Sequence, residues 1–267
     1  MTTRRYAEHA PGAALAPYVE CFWTARADAA PPRPSRVLPD GCADVIVDLA
    51  GAPRAYVVGT MRRALVVPPA PRTDIVSVRF HPGAALPFFG VPLSELVDRA
   101  APLDALWGDA AASSLVDALA SADPAARVAR LQDVLLRRLA AARADHALAT
   151  RATALMRHAR GRVSVAEVAA ALGVGERRLE RAFDAAVGIP PKQLARVLRF
   201  RAAVRLVGRG DAPRWTTIAL DAGYADQAHF IREFRALAGV TPSAFAAERR
   251  GARGGVGFVQ YDPSEGA

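Results

Sequence analysis

Cysteine is scarce in this chain of 267 residues, which contains only Cys21 and Cys42. Two cysteines are too few for a disulfide framework or for a zinc site built from thiolates alone. We therefore expect two ordinary thiols in a reducing compartment, the cytoplasm. Nothing near Cys42 in the sequence marks a base that would activate it as a nucleophile.

Long apolar runs are also lacking. No run approaches the roughly 20 apolar residues that span a bilayer. The N-terminal stretch MTTRRYAEHA has no apolar segment of the kind that forms a secretory signal. We therefore expect a globular protein without a membrane partner, long enough for two domains that each bury a core.

Residues that could perform catalysis or bind a metal show no convincing pattern. The histidines lack ligand-type spacing, and they are His9, His81, His146, His158 and His229. Asp40, Asp44 and Asp48 recur every four residues, but in a region of turns and strands, where that spacing does not form one helical face. We expect these carboxylates to be turn and surface residues. The sequence therefore predicts no metal, no cofactor and no enzymatic activity.

The positive charge is unevenly distributed along the chain. The net charge is +9, but residues 1–150 hold 16 basic against 15 acidic residues, whereas residues 151–267 hold 19 against 11. Such asymmetry indicates a part that binds a polyanion, joined to a part with another role.

The distribution of apolar residues divides the chain in the same way. From Val37 to about His81, short β-branched runs end at Gly, Pro or Asp, which predicts a small antiparallel sheet or partial barrel. After Pro82 the spacing becomes helical, and Asp123 followed by Pro124 predicts a helix start. The sequence predicts an α+β fold, with a first domain at residues 1–150, an all-helical domain at 151–250 and a glycine-rich flexible tail at 251–267.

The helical half contains an internal repeat. AEVAAALGVGERRLERAF, which begins at Ala166, aligns with TTIALDAGYADQAHFIREF, which begins at Thr216. The offset is 50 residues before the turn and 51 after it, which one extra residue in the second turn explains. Each copy predicts a helix, a turn containing glycine, and a second helix.

The local signals within each copy are specific. Ser164 and Glu167 predict a capping box at the start of the first copy, and Gly173 predicts its helix end. In the second copy Asp226 predicts an N-cap. The second helix of each copy has an apolar side opposite a polar side, and we expect the apolar side to be buried. Its residues are Leu179, Phe183 and Val187 in the first copy and Phe230, Phe234 and Leu237 in the second.

This arrangement predicts two helix-turn-helix units, whose second helices present a polar face to the major groove. Arg181 and Arg232 are suited to guanine and Gln227 to adenine, while Ala228 and Ile231 could contact a thymine methyl group. The residues between the copies predict one long helix that holds the two units apart. We expect its arginines to meet solvent or phosphates, and these are Arg196, Arg199 and Arg201.

The strings AAALGVGERRLERAF and GYADQAHFIREFRALAGVTPSAF resemble the DNA-binding domain of the AraC/XylS family of bacterial transcription regulators. The resemblance implies seven helices and two helix-turn-helix units on a shared linker helix. It departs from the family at Gly175, where a Ser or Thr cap is usual. With neighbouring Arg178 and with His229 beside the DNA backbone, the predicted DNA-binding set is Arg177, Arg178, Glu180, Arg181, Gln227, Ala228, His229, Ile231 and Arg232.

The first half resembles the sensor-type N-terminal domain of some members of that family, through LPDGCADVIVDLAG and VRFHPGAA. The resemblance implies a cupin-like or related β-fold that binds an effector or mediates dimerisation. Candidates for lining an effector pocket are Trp23, Phe80, His81 and Trp107, although aromatics of this kind are usually core residues. The implied partners are double-stranded promoter DNA, a small-molecule effector, RNA polymerase and a second copy of the chain.

Two alternatives remain open from the sequence. In one, the N-terminal domain is an enzyme or an alkyl acceptor that acts through Cys21 or Cys42. In the other, the protein is an architectural DNA binder without sequence preference.

Overall fold

The computed structural model describes residues 4–29, 34–142, 146–207 and 214–251. In its N-terminal half, six strands form one antiparallel sheet in the order β1-β2-β7-β4-β5-β8, and β3 pairs with β6 in a second, two-stranded sheet. The strands are β1 Arg4–His9, β2 Val19–Ala27, β3 Ser35–Val37, β4 Ala43–Asp48, β5 Arg54–Val58, β6 Leu65–Val67, β7 Thr73–Phe80 and β8 Ala100–Pro102. The fold class is α+β, as the sequence predicted.

The central strands of the larger sheet fit the alternation expected of a half-buried sheet. Val45 and Val47 of β4 point into the main core, and the register pairs them with Val78 and Val76 of β7. Phe80, at the end of β7, is fully buried against the helices that cover this face.

The sequence analysis did not assign the first two strands. In β2, Phe22 points into the main core, whereas Cys21 and Trp23 belong to a small apolar cluster on the other face. Apart from Phe22, the apolar residues of β2 alternate with Glu20, Thr24 and Arg26, so the usual signal of a half-buried strand is present in the sequence.

Short helices cover the main core of the sheet. They are α1 Leu86–Phe89, α2 Asp104–Trp107, α3 Asp109–Ala120 and α4 Arg127–Ala141, with 3₁₀ helices at Leu93–Leu96 and Pro124–Ala126. Asp123 caps the second 3₁₀ helix by accepting a hydrogen bond from the Ala125 amide at 2.8 Å, which confirms the helix start predicted there. Trp107 donates its indole N–H to the Phe88 carbonyl at 2.9 Å and ties α2 to α1.

The described part of the C-terminal half contains seven helices. They are α5 Ala147–His158, α6 Val165–Ala171, α7 Glu176–Ala186, α8 Pro191–Val207, α9 Trp215–Asp221, α10 Gln227–Ala238 and α11 Pro242–Gly251. One apolar cluster joins α5, α6 and α7, and a second joins α9, α10 and α11. Helix α8 contributes Leu194 to the first cluster and Phe200 to the second, so it holds both units.

The repeat in the sequence is a repeat in the structure. Ser164 accepts a hydrogen bond from the Glu167 amide, and Glu167 accepts one from the Ser164 amide, which completes the capping box. Gly173 and Gly223 have φ angles of 66° and 86°, the left-handed conformation that each tight turn requires. Within the described ranges, no helix combines the length and apolar character that crossing a bilayer requires.

Candidate nucleic-acid interface

The second helix of the first unit, α7, separates an anchoring side from an exposed basic side. Leu179 and Phe183 are fully buried. On the opposite side, four charged residues are exposed: Arg177, Arg178, Glu180 and Arg181. Helix α7 begins after Gly175, which offers no side-chain cap.

The corresponding helix of the second unit, α10, follows the same plan with a larger aromatic core. Phe230 and Phe234 are fully buried, and Phe234 contacts Phe200 of α8 edge-on with ring centroids 5.0 Å apart. Ala228 and Arg232 are exposed. Asp226 caps the helix by accepting a hydrogen bond from the His229 amide at 2.6 Å, as predicted.

Two residues of the predicted set are less free than the sequence suggested. Gln227 is half-buried, and its side-chain oxygen accepts a hydrogen bond from the Thr216 hydroxyl at 2.7 Å. Ile231 is half-buried and packs against the second apolar cluster. The amide nitrogen of Gln227 therefore remains as its outward donor, while the oxygen links α10 to α9.

His229 contacts its own unit. Its ring meets Tyr224 edge-on at 5.3 Å, and its Nε2 lies 3.7 Å from a carboxylate oxygen of Glu233. Burial and then the nearby Glu233 raise the pKa of Tyr224, whose hydroxyl is buried without a hydrogen-bond partner. His229 thus helps to position the first turn of α10.

Glu233 is a functional candidate that the sequence analysis missed. It accepts a hydrogen bond from Arg196 at 2.6 Å and lies 3.8 Å from Arg199, which also donates to the Gly161 carbonyl at 2.9 Å. Two of the three linker arginines therefore join α8 to its neighbours, although the Arg196 side chain is still 38% exposed. Glu233 follows Arg232 directly, and nothing in the local pattern distinguishes it from a surface acid.

The third linker arginine, Arg201, faces the N-terminal domain. Burial opposes its charge, but Asp40 and Glu20 raise its pKa. Burial also opposes the ionisation of Glu20, yet Arg201 and then Arg79 lower the pKa of that carboxyl group. Opposite charges from β2, the β3–β4 turn, β7 and α8 therefore meet where the domains are in contact.

Asp40 does lie in a turn, as expected, but the expectation that Asp40 and Asp44 are surface residues is wrong. Asp40 is 2% exposed and accepts a hydrogen bond from the Cys42 amide at 2.9 Å. Asp44 accepts a hydrogen bond from the Trp23 indole at 3.0 Å and lies 3.4 Å from the Arg79 guanidinium. Burial raises the pKa of Asp44 to about 6, against the opposing effect of Arg79. Asp48 is half-buried and pairs with Arg54 at 3.3 Å.

Both cysteines are buried free thiols. Cys42 donates to a carboxylate oxygen of Glu20 at 3.3 Å, and burial followed by the negative charge of Asp40 raises its pKa well above the ordinary value. Burial also raises the pKa of Cys21 to about 12. Both groups therefore stay protonated near neutral pH, which disfavours nucleophilic chemistry. The described residues contain no cluster of three or more metal-ligating side chains.

The N-terminal domain contacts the C-terminal ends of both α7 and α10. We term residues 59–64, between β5 and β6, the bridging loop. The Thr60 hydroxyl donates to the Val187 carbonyl just after α7, at 2.7 Å. The Ala64 amide donates to the Leu237 carbonyl in the last turn of α10, also at 2.7 Å.

Further contacts fasten the bridging loop and the same helix ends. Asp98 accepts hydrogen bonds from the backbone and side-chain nitrogens of Arg62, both at 2.7 Å. Arg36 of β3 donates to the Ala238 carbonyl at 2.9 Å and makes two hydrogen bonds of 3.1 Å to Glu248 of α11. The bridging loop and β3 of the N-terminal domain thus contact the C-terminal ends of α7 and α10.

A second contact region joins the end of β7 to α5. The Thr153 hydroxyl donates to the Pro82 carbonyl at 2.7 Å, and Arg157 donates to Nδ1 of His81 at 2.9 Å. Burial and then Arg157 lower the pKa of His81. Of the aromatics expected to line an effector pocket, His81 lies in this contact, Phe80 and Trp23 are core residues, and Trp107 borders a groove.

Two family models match separate parts of the chain. Residues 7–102 match the family model described as "Domain of unknown function (DUF6597)", and residues 168–248 match the model described as "Helix-turn-helix domain". The comparison with curated proteins finds no match.

Several solved structures are similar to parts of the chain. A transcriptional regulator with an AraC-type DNA-binding domain from Chromobacterium violaceum is 29% identical, over 38% of this chain and 89% of that one, with a TM-score of 0.35. The DNA-binding domain of AdpA, solved with a target DNA, is 25% identical over 40% of this chain and 95% of that one, with a TM-score of 0.36. ToxT from Vibrio cholerae O395 is 11% identical over 92% of this chain and 97% of that one, with a TM-score of 0.42.

The paired helix-turn-helix units on one linker helix, together with the matched domain, define a DNA-binding protein. Its C-terminal half contains a helix-turn-helix domain of AraC type, and a domain of unknown function lies in front of it.

Proposed function

We propose that the protein recognises a specific promoter sequence through both helix-turn-helix units, and that its N-terminal domain sets how the units are presented to DNA. The observation that carries the first part is the repeated division of α7 and α10 into a fully buried aromatic side and an exposed basic side. A purely structural helical bundle does not require exposed basic faces on both α7 and α10, which pack against the same linker helix α8.

Within this proposal, base contacts come from the outward residues of the two helices. Arg177, Arg181 and Arg232 supply guanidinium forks suited to guanine. The Gln227 nitrogen, Ala228 and the exposed part of Ile231 complete the second unit. Glu180, whose carboxylate can accept a hydrogen bond from a cytosine amino group, completes the first unit, and Arg178 and His229 lie beside these residues, near the DNA backbone.

The N-terminal domain acts in this proposal through the bridging loop. Because one loop contacts the ends of α7 and α10, a shift of that loop changes the position of both helices. An effector that binds one arrangement better than another would shift the population of DNA-competent molecules. Activation would further involve RNA polymerase, and a second copy of the chain would place further units on adjacent half-sites.

We also propose that the boundary between the domains lies near residue 150, with residues 151–250 forming most of the DNA-binding domain and 251–267 a tail. Helix α5 crosses this position and packs in the first C-terminal cluster through Ala149 and Ala152, which supports placing all of α5 with the DNA-binding domain. Apart from Gly251, which ends α11, the tail lies outside the described residues.

Selection of bound fragments from a random DNA pool tests the proposed function. We expect a motif with two elements about one helical turn apart, roughly 34 Å. Recovery of fragments without a shared motif would reject sequence-specific recognition and favour an architectural role. The buried, protonated state of Cys21 and Cys42 gives no support to an enzymatic or alkyl-accepting N-terminal domain.

A further inference from the structure

A groove lies on the helical side of the N-terminal domain. It runs between α1, the α2–α3 segment and α4, and its volume is about 570 Å³. Leu86, Leu115 and Val134 contribute apolar walls, and Trp107 lies at one side. This volume and this apolar character are within the range of small-molecule sites.

One end of the groove is positively charged. Arg137 and Arg138, from the last part of α4, both line it. The Arg138 guanidinium lies 4.0 Å from the centre of the Trp107 ring, and its Nε donates to the Phe88 carbonyl at 3.3 Å. Among the described residues, no carboxylate pairs with either arginine. Burial lowers the pKa of Arg138, so an anion bound beside it would relieve the cost of holding its charge.

We propose that this groove binds a small organic anion with an apolar body, such as an aromatic or aliphatic carboxylate or sulfonate. The apolar body would lie against Leu86, Leu115 and the Trp107 ring. The anionic group would accept hydrogen bonds from Arg137 and from the free nitrogens of Arg138. Guanidinium groups suit this role, because they bind planar and trigonal anions through two parallel hydrogen bonds.

Helix α1 lines the groove and also contacts the DNA-binding domain. Leu86 packs both against the core of the N-terminal domain and against the first C-terminal cluster, which contains Met156 and Phe183. The chain that leads into α1 is fastened to α5 by the hydrogen bond from Thr153 to Pro82. An occupant that presses on Leu86 therefore acts on the contact between the domains, and its assignment as the effector rests on the proposed function.

Two fluorescent probes with the same aromatic body test the site in the full-length protein: anilinonaphthalene sulfonate, which is anionic, and N-phenylnaphthylamine, which is neutral. We expect the anionic probe to bind more tightly. Arg137→Gln combined with Arg138→Gln should weaken the anionic probe about tenfold or more, since charge-assisted hydrogen bonds are lost, and should leave the neutral probe nearly unchanged. Arg130→Gln, on the same helix but outside the groove, is the matched control.

A second variant guards against an effect of the arginine changes on folding. Ala111 is exposed and lines the groove, so Ala111→Trp fills the space without disturbing the core. We expect this variant to lose both probes while its thermal unfolding stays that of the wild type. Equal binding of the two probes to wild type, or unchanged binding in the double arginine variant or in Ala111→Trp, would overturn the proposed site.

The effector role is measured separately, as the affinity for the selected DNA motif with and without the anionic probe. A change in affinity that disappears in Ala111→Trp supports the assignment, and an unchanged affinity overturns it. If the random pool gives no motif while charge-dependent probe binding persists, the proposed function fails and the binding site stands.

Discussion

Thr60 and Ala64 lie four residues apart in the bridging loop, and each donates a hydrogen bond of 2.7 Å to the end of a different recognition helix. The acceptors are the Val187 carbonyl after α7 and the Leu237 carbonyl in α10. Because backbone carbonyls at a helix end have no partner within the helix, such donors stabilise the helix end and fix its position. The ends of α7 and α10, the two helices that we propose read DNA, are thereby held by one loop of the N-terminal domain.

The first prediction concerns Thr60. Thr60→Val keeps the side-chain shape but removes the hydroxyl donor, so the Val187 carbonyl is left unpaired in a buried site. We expect a loss of about 1–3 kcal/mol in the free energy of unfolding, measured by urea denaturation. Thr24→Val is the control, because the Thr24 hydroxyl has only an exposed contact of 3.4 Å with His9. Equal stability of the two variants would show that Thr60 does not fasten α7.

The second prediction concerns base reading. Arg181→Ala and Arg232→Ala should each weaken binding to the selected motif by about 1–3 kcal/mol and relax the base preference at one position. Both side chains are exposed, so the fold should be unaffected. The readout is competition between motif variants and random DNA, with Arg130→Ala as a control distant from the recognition helices. Equal losses on motif and random DNA would reassign these arginines to phosphate contacts.

The third prediction concerns the aromatic anchors of α10. Phe230→Ala and Phe234→Ala should each lower the free energy of unfolding by about 3–5 kcal/mol, because each removes a fully buried ring. Leu220→Ala, at a position that is 59% exposed, provides the contrast and should cost little. Thermal melts followed by circular dichroism measure the difference. Melting curves that coincide for Phe230→Ala and wild type would contradict the buried face.

The fourth prediction concerns pH and the contact between His81 and Arg157. Burial and the Arg157 charge lower the pKa of His81 in the folded protein, below its ordinary value of 6.5. The unfolded chain therefore binds this proton more readily. The stability that the neutral ring contributes is fully present at pH values above the ordinary pKa of 6.5. It is lost as the pH falls through the lowered pKa of the folded protein.

His81→Gln keeps an acceptor for Arg157 but does not titrate in this range. The stability difference between wild type and His81→Gln should therefore shift against the wild type as pH falls from roughly 7.5 to 5. The comparison is necessary because Asp44, with a pKa raised to about 6, has the opposite effect and is present in both proteins. A difference that is independent of pH would show that His81 does not titrate in the contact.

Much of the C-terminal domain could be predicted because its signals are local. The Ser164–Glu167 capping box, the Asp226 cap and the glycine turns depend on residues within a few positions of one another, and all are present. The N-terminal domain was harder to predict. Strand β2 contributes Phe22 to the main core and Cys21 and Trp23 to a second cluster, and this two-sided burial depends on which elements pack on each face.

By itself, the sequence determined that two helix-turn-helix units exist and which side of each helix is buried, since the 3.6-residue period decides which side chains share a face. Only the tertiary structure decided which polar groups are occupied. The sequence around Arg196 and Arg232 does not distinguish their roles, yet Arg196 pairs with Glu233 whereas Arg232 is exposed. Ion pairs and hydrogen bonds between residues distant in sequence depend on how the elements pack, and the local pattern carries no record of the partner.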